Sequence, residues 1–355
     1  MNKITTYLWK SILVAIILVL SLFVGIEFIF SLANEIRFVG TGDYTTLHAV
    51  TFILLSMPQQ IAQLFPMATL VGTLLGLGIL ASRSELIVMR SSGLSVGDII
   101  QAVLKLALIL AVVVWFVGEW LAPMAEKMAH YQKSTTLSGG QALRTKHGTW
   151  MRDGDDFIHI QAIYAGQHLE GITLYQFDKK MHLQKASFAS HADYADDHWV
   201  LHNIQETSFE KDKTTRRKIE KLDWRSQIDP QILSIVGVKD LDELSLPGLW
   251  QTIQYRKTNQ LDTNPYKLAF WQKLFRPIAT LVMMFLAIPF VFGPLRSATM
   301  GLRMLVGVLV GFVFYTFNQL FGPLSLVYQI PPFIGACLPT LLFFIAGLFF
   351  VKKVP

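Results

Sequence analysis

The chain is short of the groups that do covalent or metal chemistry. It has one cysteine, Cys337, inside an apolar run, so a disulfide framework and a thiolate metal cluster are both excluded and the redox compartment is left open. No HExxH sets two histidines and a glutamate on one helix face, and no GxSxG marks a nucleophile elbow. A GxxxxGK[ST] phosphate loop is also absent, as is an apolar strand ending in paired acids for Mg²⁺. Charge is scarce: 16% of the 355 residues are charged and 52% are hydrophobic. With a mean hydropathy of +0.42, these values lie above the soluble norm and point to a membrane protein. The net charge of +6 would ordinarily suggest an anionic partner, but basic cytoplasmic loops explain it in a membrane chain, and no nucleic-acid partner is implied.

What is present is apolar length. About 20 mostly apolar residues cross a bilayer as a helix, and six segments qualify: 11–33, 52–80, 99–121, 268–293, 302–321 and 331–351. The first follows a short basic start (Lys3, Lys10) without a small-residue cleavage site, so it reads as a retained span and not a signal peptide. Between the third and fourth spans, about 130–265, lies a polar stretch with eight of the nine histidines and most of the acids. Three divisions follow: 1–129 with spans one to three, 130–265 as a soluble domain, and 266–355 with spans four to six.

Lysine and arginine set the orientation. Lys3 and Lys10, Arg83 and Arg90 with Lys105, Arg296 and Arg303, and Lys352 and Lys353 occupy one side, whereas the alternate loops hold only Arg37. Both termini are therefore expected in the cytoplasm and the soluble domain outside. "LSGGQ" at 137–141 spells the signature of ABC-type ATPases. It falls past the outer end of span three, on the side without ATP, and no phosphate loop accompanies it. It reads as a chance match.

The outer domain reads as antiparallel β, a sandwich or jelly roll. "DDFIHIQAIYAG", "EGITLYQFD", "KASFASHADY", "HWVLHNIQETSFE" and "RRKIEKLDW" alternate or are rich in β-branched and aromatic residues, and "DYADDHWV" looks like a hairpin. His198 and His202 share a face if "HWVLH" is a strand, with His191 nearby. Without HExxH or a carboxylate at a fixed ligand spacing they read as solvated strand faces, and neither a metal site nor a catalytic residue nor a cofactor is assigned.

In "ASRSELIVMRSSGLSVGDII", Ser82 with Glu85 forms a capping box that predicts a helix over about 82–93, closed by Gly93, and Ser95 with Asp98 forms a second box launching span three. Leu86, Ile87 and Met89 are expected on its apolar side. Glu85 and Arg90 are then available to a partner, or the helix simply lies on headgroups. Gly72xxxGly76 and Gly307xxxGly311 allow close helix approach, within the chain or between subunits. Pro58, Pro66, Pro277 and Pro289 are expected to kink spans two and four. Glu27 is the acid well inside a span, a functional candidate by its placement. Arg37, Lys267, Lys273 and Arg276 stand at the outer boundary, where they suit either the phosphates of an anionic lipid or snorkelling to zwitterionic headgroups.

Four runs carry a resemblance: "FPMATLVGTLLGLGILASRSELIVMRSSG", "GEWLAP", "FGPLRSATMGLR" and "GFVFYTFNQLFGPLSLVYQIPPFIGACLP". In these the chain resembles the LptF/LptG family of lipopolysaccharide-export permeases, its LptG branch most of all. The resemblance implies six transmembrane helices with a periplasmic antiparallel β-jellyroll between the third and fourth, in the inner membrane. It implies a half-transporter, with ATP hydrolysis on another chain. The implied partners are an LptF-like second permease, an LptB-like ABC ATPase dimer, a single-span LptC-like protein and lipopolysaccharide. Arg83, Glu85, Leu86, Met89 and Arg90 would form the ATPase-coupling helix. Spans one and five would form lateral gates, putting Glu27, Arg37, Lys273, Arg276, Phe312, Tyr315, Phe317 and Phe321 near the lipid. Relatives often place a basic cluster after span one; here "SLANEIRFVGTGDY" keeps only Arg37, so either Lys273 and Arg276 compensate or the lipid carries less negative charge. The alternatives are a membrane-anchored envelope scaffold that moves no lipid and a permease for another anionic envelope lipid.

Overall fold

The computed structural model describes the chain except at 1–2, 138–142, 165–167, 179, 181, 196, 211–212, 225, 227, 229, 231–232, 234–240, 293–298 and 353–355, and for 143–147, 164 and 300 it describes the backbone alone. Ser138–Gln141 of the "LSGGQ" match, Arg296 and Lys353 thus lie outside the described residues. The chain divides into two units. One comprises Met1–Arg37, Ile53–Lys127 and Asn264–Pro355; the other comprises Phe38–Phe52 and Met128–Thr263.

The first unit is helical, as a backbone in hydrocarbon must satisfy its own N–H and C=O groups. Its elements are α1 (Lys3–Glu35), α2 (Thr46–Ser82), the short α3 (Glu85–Ser91) and α4 (Val96–Phe116). A π-turn at Val117–Leu121 leads into α5 (Ala122–Leu137), which continues into the second unit. After the second unit come α7 (Asn264–Phe292), α8 (Met300–Val327) and α9 (Pro332–Val351). Six of these stretches are long and apolar enough to span a membrane. The core joins Leu8, Ile12 and Ile16 of α1, Leu70, Leu74 and Leu77 of α2, Val103 and Leu106 of α4, and Met283 and Met284 of α7.

The third span departs from its expected end. Val96–Leu137 is a run of 42 helical residues that passes through Pro123. A proline in a regular helix removes an N–H and clashes with the carbonyl four residues back, here that of Glu119. The π-turn widens the backbone where that carbonyl lies, which is how the helix passes the proline.

The glycine pairs are used inside the chain. A Cβ on Gly72 would stand 2.5 Å from Ile16 Cα, and one on Gly76 would stand 2.7 Å from Ile12 Cα, so α1 lies directly on the α2 backbone. Gly307 and Gly311 of α8 similarly meet Leu74 and Met67 of α2.

The second unit holds β1 (Leu143–Asp153), β2 (Asp156–Tyr164), β3 (His168–Phe177), β4 (Leu183–Ala195), β5 (His198–Phe209) and β6 (Thr214–Trp224), followed by α6 (Leu246–Thr258). The strands form one six-stranded antiparallel sheet in chain order, each paired with its sequence neighbour. The hairpin expected at "DYADDHWV" is present, with Ala195 opposite His198. One face of the sheet carries Ile158, Ile160, Leu169, Ile172, Ala192, Trp199 and Leu201 into a core shared with Ile228 and Leu233. Trp199 Nε1 donates to the Ile228 carbonyl at 2.7 Å. α6 is tied to the β1–β2 turn: the Tyr255 hydroxyl donates to the Arg152 carbonyl at 2.6 Å, and Gly154 N–H, at φ +65°, donates to Asn259 Oδ1 at 2.7 Å.

Candidate functional site

The short helix α3 is where sequence and structure are best compared. Its C-terminal stop is as expected. Gly93 adopts φ +99°, its N–H donates to the Arg90 carbonyl at 3.1 Å, and Leu94 N–H donates to the Met89 carbonyl at 3.2 Å. That pair of reversed bonds is a Schellman closure, and glycine supplies the left-handed residue it needs. The second capping box is also present: Ser95 Oγ accepts from Asp98 N–H at 3.1 Å, and Asp98 Oδ2 accepts from Ser95 N–H at 2.8 Å.

The first box is corrected. α2 runs through Ser82, whose hydroxyl donates to the Ile79 carbonyl at 2.8 Å. α3 begins at Glu85, after Ser84 in the left-handed region at φ 63° and without a side-chain cap. The i,i+3 pattern of Ser82 and Glu85 was read as a start, although Ser82 completes the helix before it.

Leu86 and Met89 anchor α3 into the helical core, while Ile87 and Val88 are 59% and 64% exposed. Ile87, expected with Leu86 and Met89 on one apolar side, instead turns outward beside Val88 and Arg90. Glu85 accepts a hydrogen bond from the Tyr7 hydroxyl at 2.9 Å and faces Arg83 at 4.0 Å. Solvent reduces such an exposed ion pair to about 0–1 kcal/mol, so it aligns Glu85 more than it stabilises the fold. A cleft lined by Ile4, Leu8, Met89, Leu94, Asp98 and Lys105 adjoins this helix. The exposed surface here is therefore two branched apolar side chains flanked by both signs of charge.

The gate candidates lie on the two least covered spans. In the most apolar stretch of the fifth span 17% is buried, and in the first 22%, against 78% in the second. Phe312 is exposed. Phe317 and Phe321 stack at 5.4 Å, and Gln319 Nε2 donates to the Tyr315 hydroxyl at 3.3 Å. On α1, Ser31 links Glu27 (3.5 Å) to Gln60 of α2 (3.2 Å). Arg37 bonds the Asn34 carbonyl at 3.1 Å through Nε, with its side chain exposed.

Lys273 and Arg276 do not form an outward pair. Lys273 is 4% exposed, and its Nζ lies 3.6 Å from Oε2 of Glu119, itself 6% exposed, in the π-turn. Arg276 lines a small cavity with both of them, together with Trp115 and Pro277. The expectation paired Lys273 with Arg276 by their spacing of three; the partner that turns Lys273 inward is an acid distant in sequence. Glu119 was not singled out, although "GEWLAP" displayed it. Arg303, counted with the cytoplasmic side, sits in the first turn of α8, where it is buried and donates to the Gly78 carbonyl of α2 at 2.6 Å. A Cβ at Gly78 would stand 3.1 Å from the Arg303 side chain, so that glycine makes room for the guanidinium.

Six helices long and apolar enough to span a membrane, a short helix closed at its C-terminal end by Gly93 between the second and third, and a β unit inserted between the third and fourth define a multi-pass membrane protein. The chain belongs to the lipopolysaccharide export system permease LptF/LptG family, whose model matches residues 6–353. It is 38% identical over 350 residues to the lipopolysaccharide export system permease protein LptG of Escherichia coli K12, covering 98% of this chain and 97% of the relative. It is equally 38% identical, over 346 residues, to LptG of Haemophilus influenzae, covering 97% and 96%.

Proposed function

We propose that this chain is one half of a permease that withdraws lipopolysaccharide from the outer leaflet of the bacterial inner membrane and passes it to a periplasmic β bridge. Both termini lie in the cytoplasm and the β unit lies in the periplasm, in agreement with the lysine and arginine bias of the loops. A second, LptF-like permease faces spans one and five, and a single-span LptC-like protein joins the bridge. The energy comes from an LptB-like ATPase dimer, because the sequence has no phosphate loop of its own.

The observation that carries this reading is the geometry of α3. The helix is locked at its C-terminal end by the Gly93 closure, held from below by Leu86 and Met89, and turns Ile87, Val88 and Arg90 outward. Docked in an ATPase groove, it would carry motion of the nucleotide-driven subunits into α2 and α4. The lipid would then leave between spans one and five, whose poor coverage within the chain suits a surface that meets lipid or a second permease.

The test is co-purification in mild detergent of tagged Val88→Asp and Glu85→Ala proteins, alongside export in cells depleted of the native permease. Loss of the ATPase and of export, with thermal unfolding unchanged, supports coupling through α3. Full retention of the ATPase by Val88→Asp, with normal export, overturns it and favours a scaffold that moves no lipid.

A further inference from the structure

The β unit brings together four side chains, two of which, His191 and His202, the sequence alone places on solvated strand faces. His191 of β4 stands opposite His202 of β5, and Asp193, two residues further along β4, stands opposite His168 of β3. Residues two apart on a strand share a face, so all four project from the face opposite the Leu169–Ala192–Leu201 core. The rings of His191 and His202 are stacked 4.5 Å apart and 4° from parallel. One ligand atom each from His191, Asp193 and His202 falls within 4.8 Å of the other two.

The surroundings orient these groups. His168 Nδ1 lies 2.6 Å from Asp193 Oδ1, while Oδ2 of the same carboxylate faces His202 Nε2 at 3.5 Å. One carboxylate oxygen is thus held by His168 and the other is presented to the histidine pair. Ser190 Oγ donates to the His202 carbonyl at 3.2 Å and lies 2.9 Å from His191 Nδ1. With the Ser190 proton on that carbonyl, Oγ would accept from Nδ1–H and the His191 Nε2 lone pair would be available to a metal.

We propose that His191, His202 and Asp193 bind one divalent transition-metal ion of the Zn²⁺ class, with His168 positioning the carboxylate. Two imidazoles and one carboxylate are a donor set that suits such ions, and a fourth position is left for water. Ligands about 2.0–2.1 Å from zinc at tetrahedral angles stand about 3.4 Å apart, so small side-chain rotations close the triad. His168 then acts as the outer-shell group that fixes a ligand's orientation. Across the sheet, Glu170 faces His191 and Lys221 faces His202, one acid and one base close to the triad. His198 is not part of it, since it pairs with Asp223 at 3.5 Å. The bound ion would tie β4 to β5 directly, and β3 to both through His168. It is independent of the export reading, which uses none of these residues.

The experiment is titration of full-length protein in detergent, carrying a tag without histidine, with Zn²⁺ alone by calorimetry, and with Co²⁺ by visible absorption. The expected result is one ion per chain with a tetrahedral-type Co²⁺ spectrum, abolished in H191A/H202A and retained in His198→Ala. His168→Ala should weaken binding by about 10–100-fold, the usual cost of an outer-shell partner, with hydrogen exchange of the sheet confirming that each variant is folded. Stoichiometric binding that survives in folded H191A/H202A, or no saturable binding by the wild-type protein, overturns the proposal.

Discussion

Lys273 and Glu119 meet at 3.6 Å with 4% and 6% of their side chains exposed, one on the helix entering the last three spans and the other in the π-turn of the third. An ion pair this well removed from water gains little overall, because desolvation offsets the attraction, but leaving either charge without the other is severe. Glu119→Ala should therefore lower stability by about 3–5 kcal/mol, and Lys273→Met combined with Glu119→Leu should recover most of it. Thermal unfolding of the purified protein in detergent checks both. A double variant no better than Glu119→Ala would show that the pair is not the reason for the loss.

The contact of α1 with α2 predicts a second pattern. Gly72→Val and Gly76→Val each drive a side chain into the backbone of α1, at Ile16 and Ile12, and overpacking of this kind costs about 1–3 kcal/mol or more. Gly25→Ala, with nothing within 4 Å of its added Cβ, should be nearly neutral. Melting temperatures measured side by side test the difference.

At the end of α3, Gly93→Ala must hold a side chain at φ +99°, where an L-residue costs about 1–2 kcal/mol. The closing bonds to the Arg90 and Met89 carbonyls should then open more often. Hydrogen exchange at the Gly93 and Leu94 amide positions should quicken by about 5–30-fold while exchange in the core of α4 stays unchanged.

Tyr255 provides a pH test in the β unit. Burial pushes its phenol above the ordinary value. A raised value means that folding favours the protonated ring. The stabilisation is complete below the unfolded value, about 10, and disappears as pH rises through the higher folded one. Unfolding of the β unit, followed by its tryptophan signal, should weaken in that alkaline window. Tyr255→Phe should flatten the decline and, at neutral pH, lose about 1 kcal/mol with the hydrogen bond.

Much of this architecture could be read directly because apolar length and caps are local signals. The six spans, the Gly93 stop and the Ser95–Asp98 box each depend on residues close together in the chain. What escaped depends on partners distant in sequence. β1 went unseen because "LRTKHGTWMRD" has little apolar alternation and is ordered by pairing with β2. Lys273 could not be placed without Glu119, nor Arg303 without the Gly78 carbonyl. On α3 only Leu86 and Met89, three residues apart, share the face towards the core, so Ile87, one residue on from Leu86, turns outward with Val88. In the β unit, His191 and His202 are neighbours only after a hairpin folds them face to face.

The meeting of Gly72 and Gly76 with Ile16 and Ile12 also governs how the first span can move. Both contacts fall in the half of α1 near Lys10, and no glycine on α2 repeats them beside Phe23 or Phe30. Any opening of α1 away from α2 is therefore predicted to pivot about residues 12–16, with the 3.2 Å contact from Gln60 to Ser31 the polar link to be broken towards the other end.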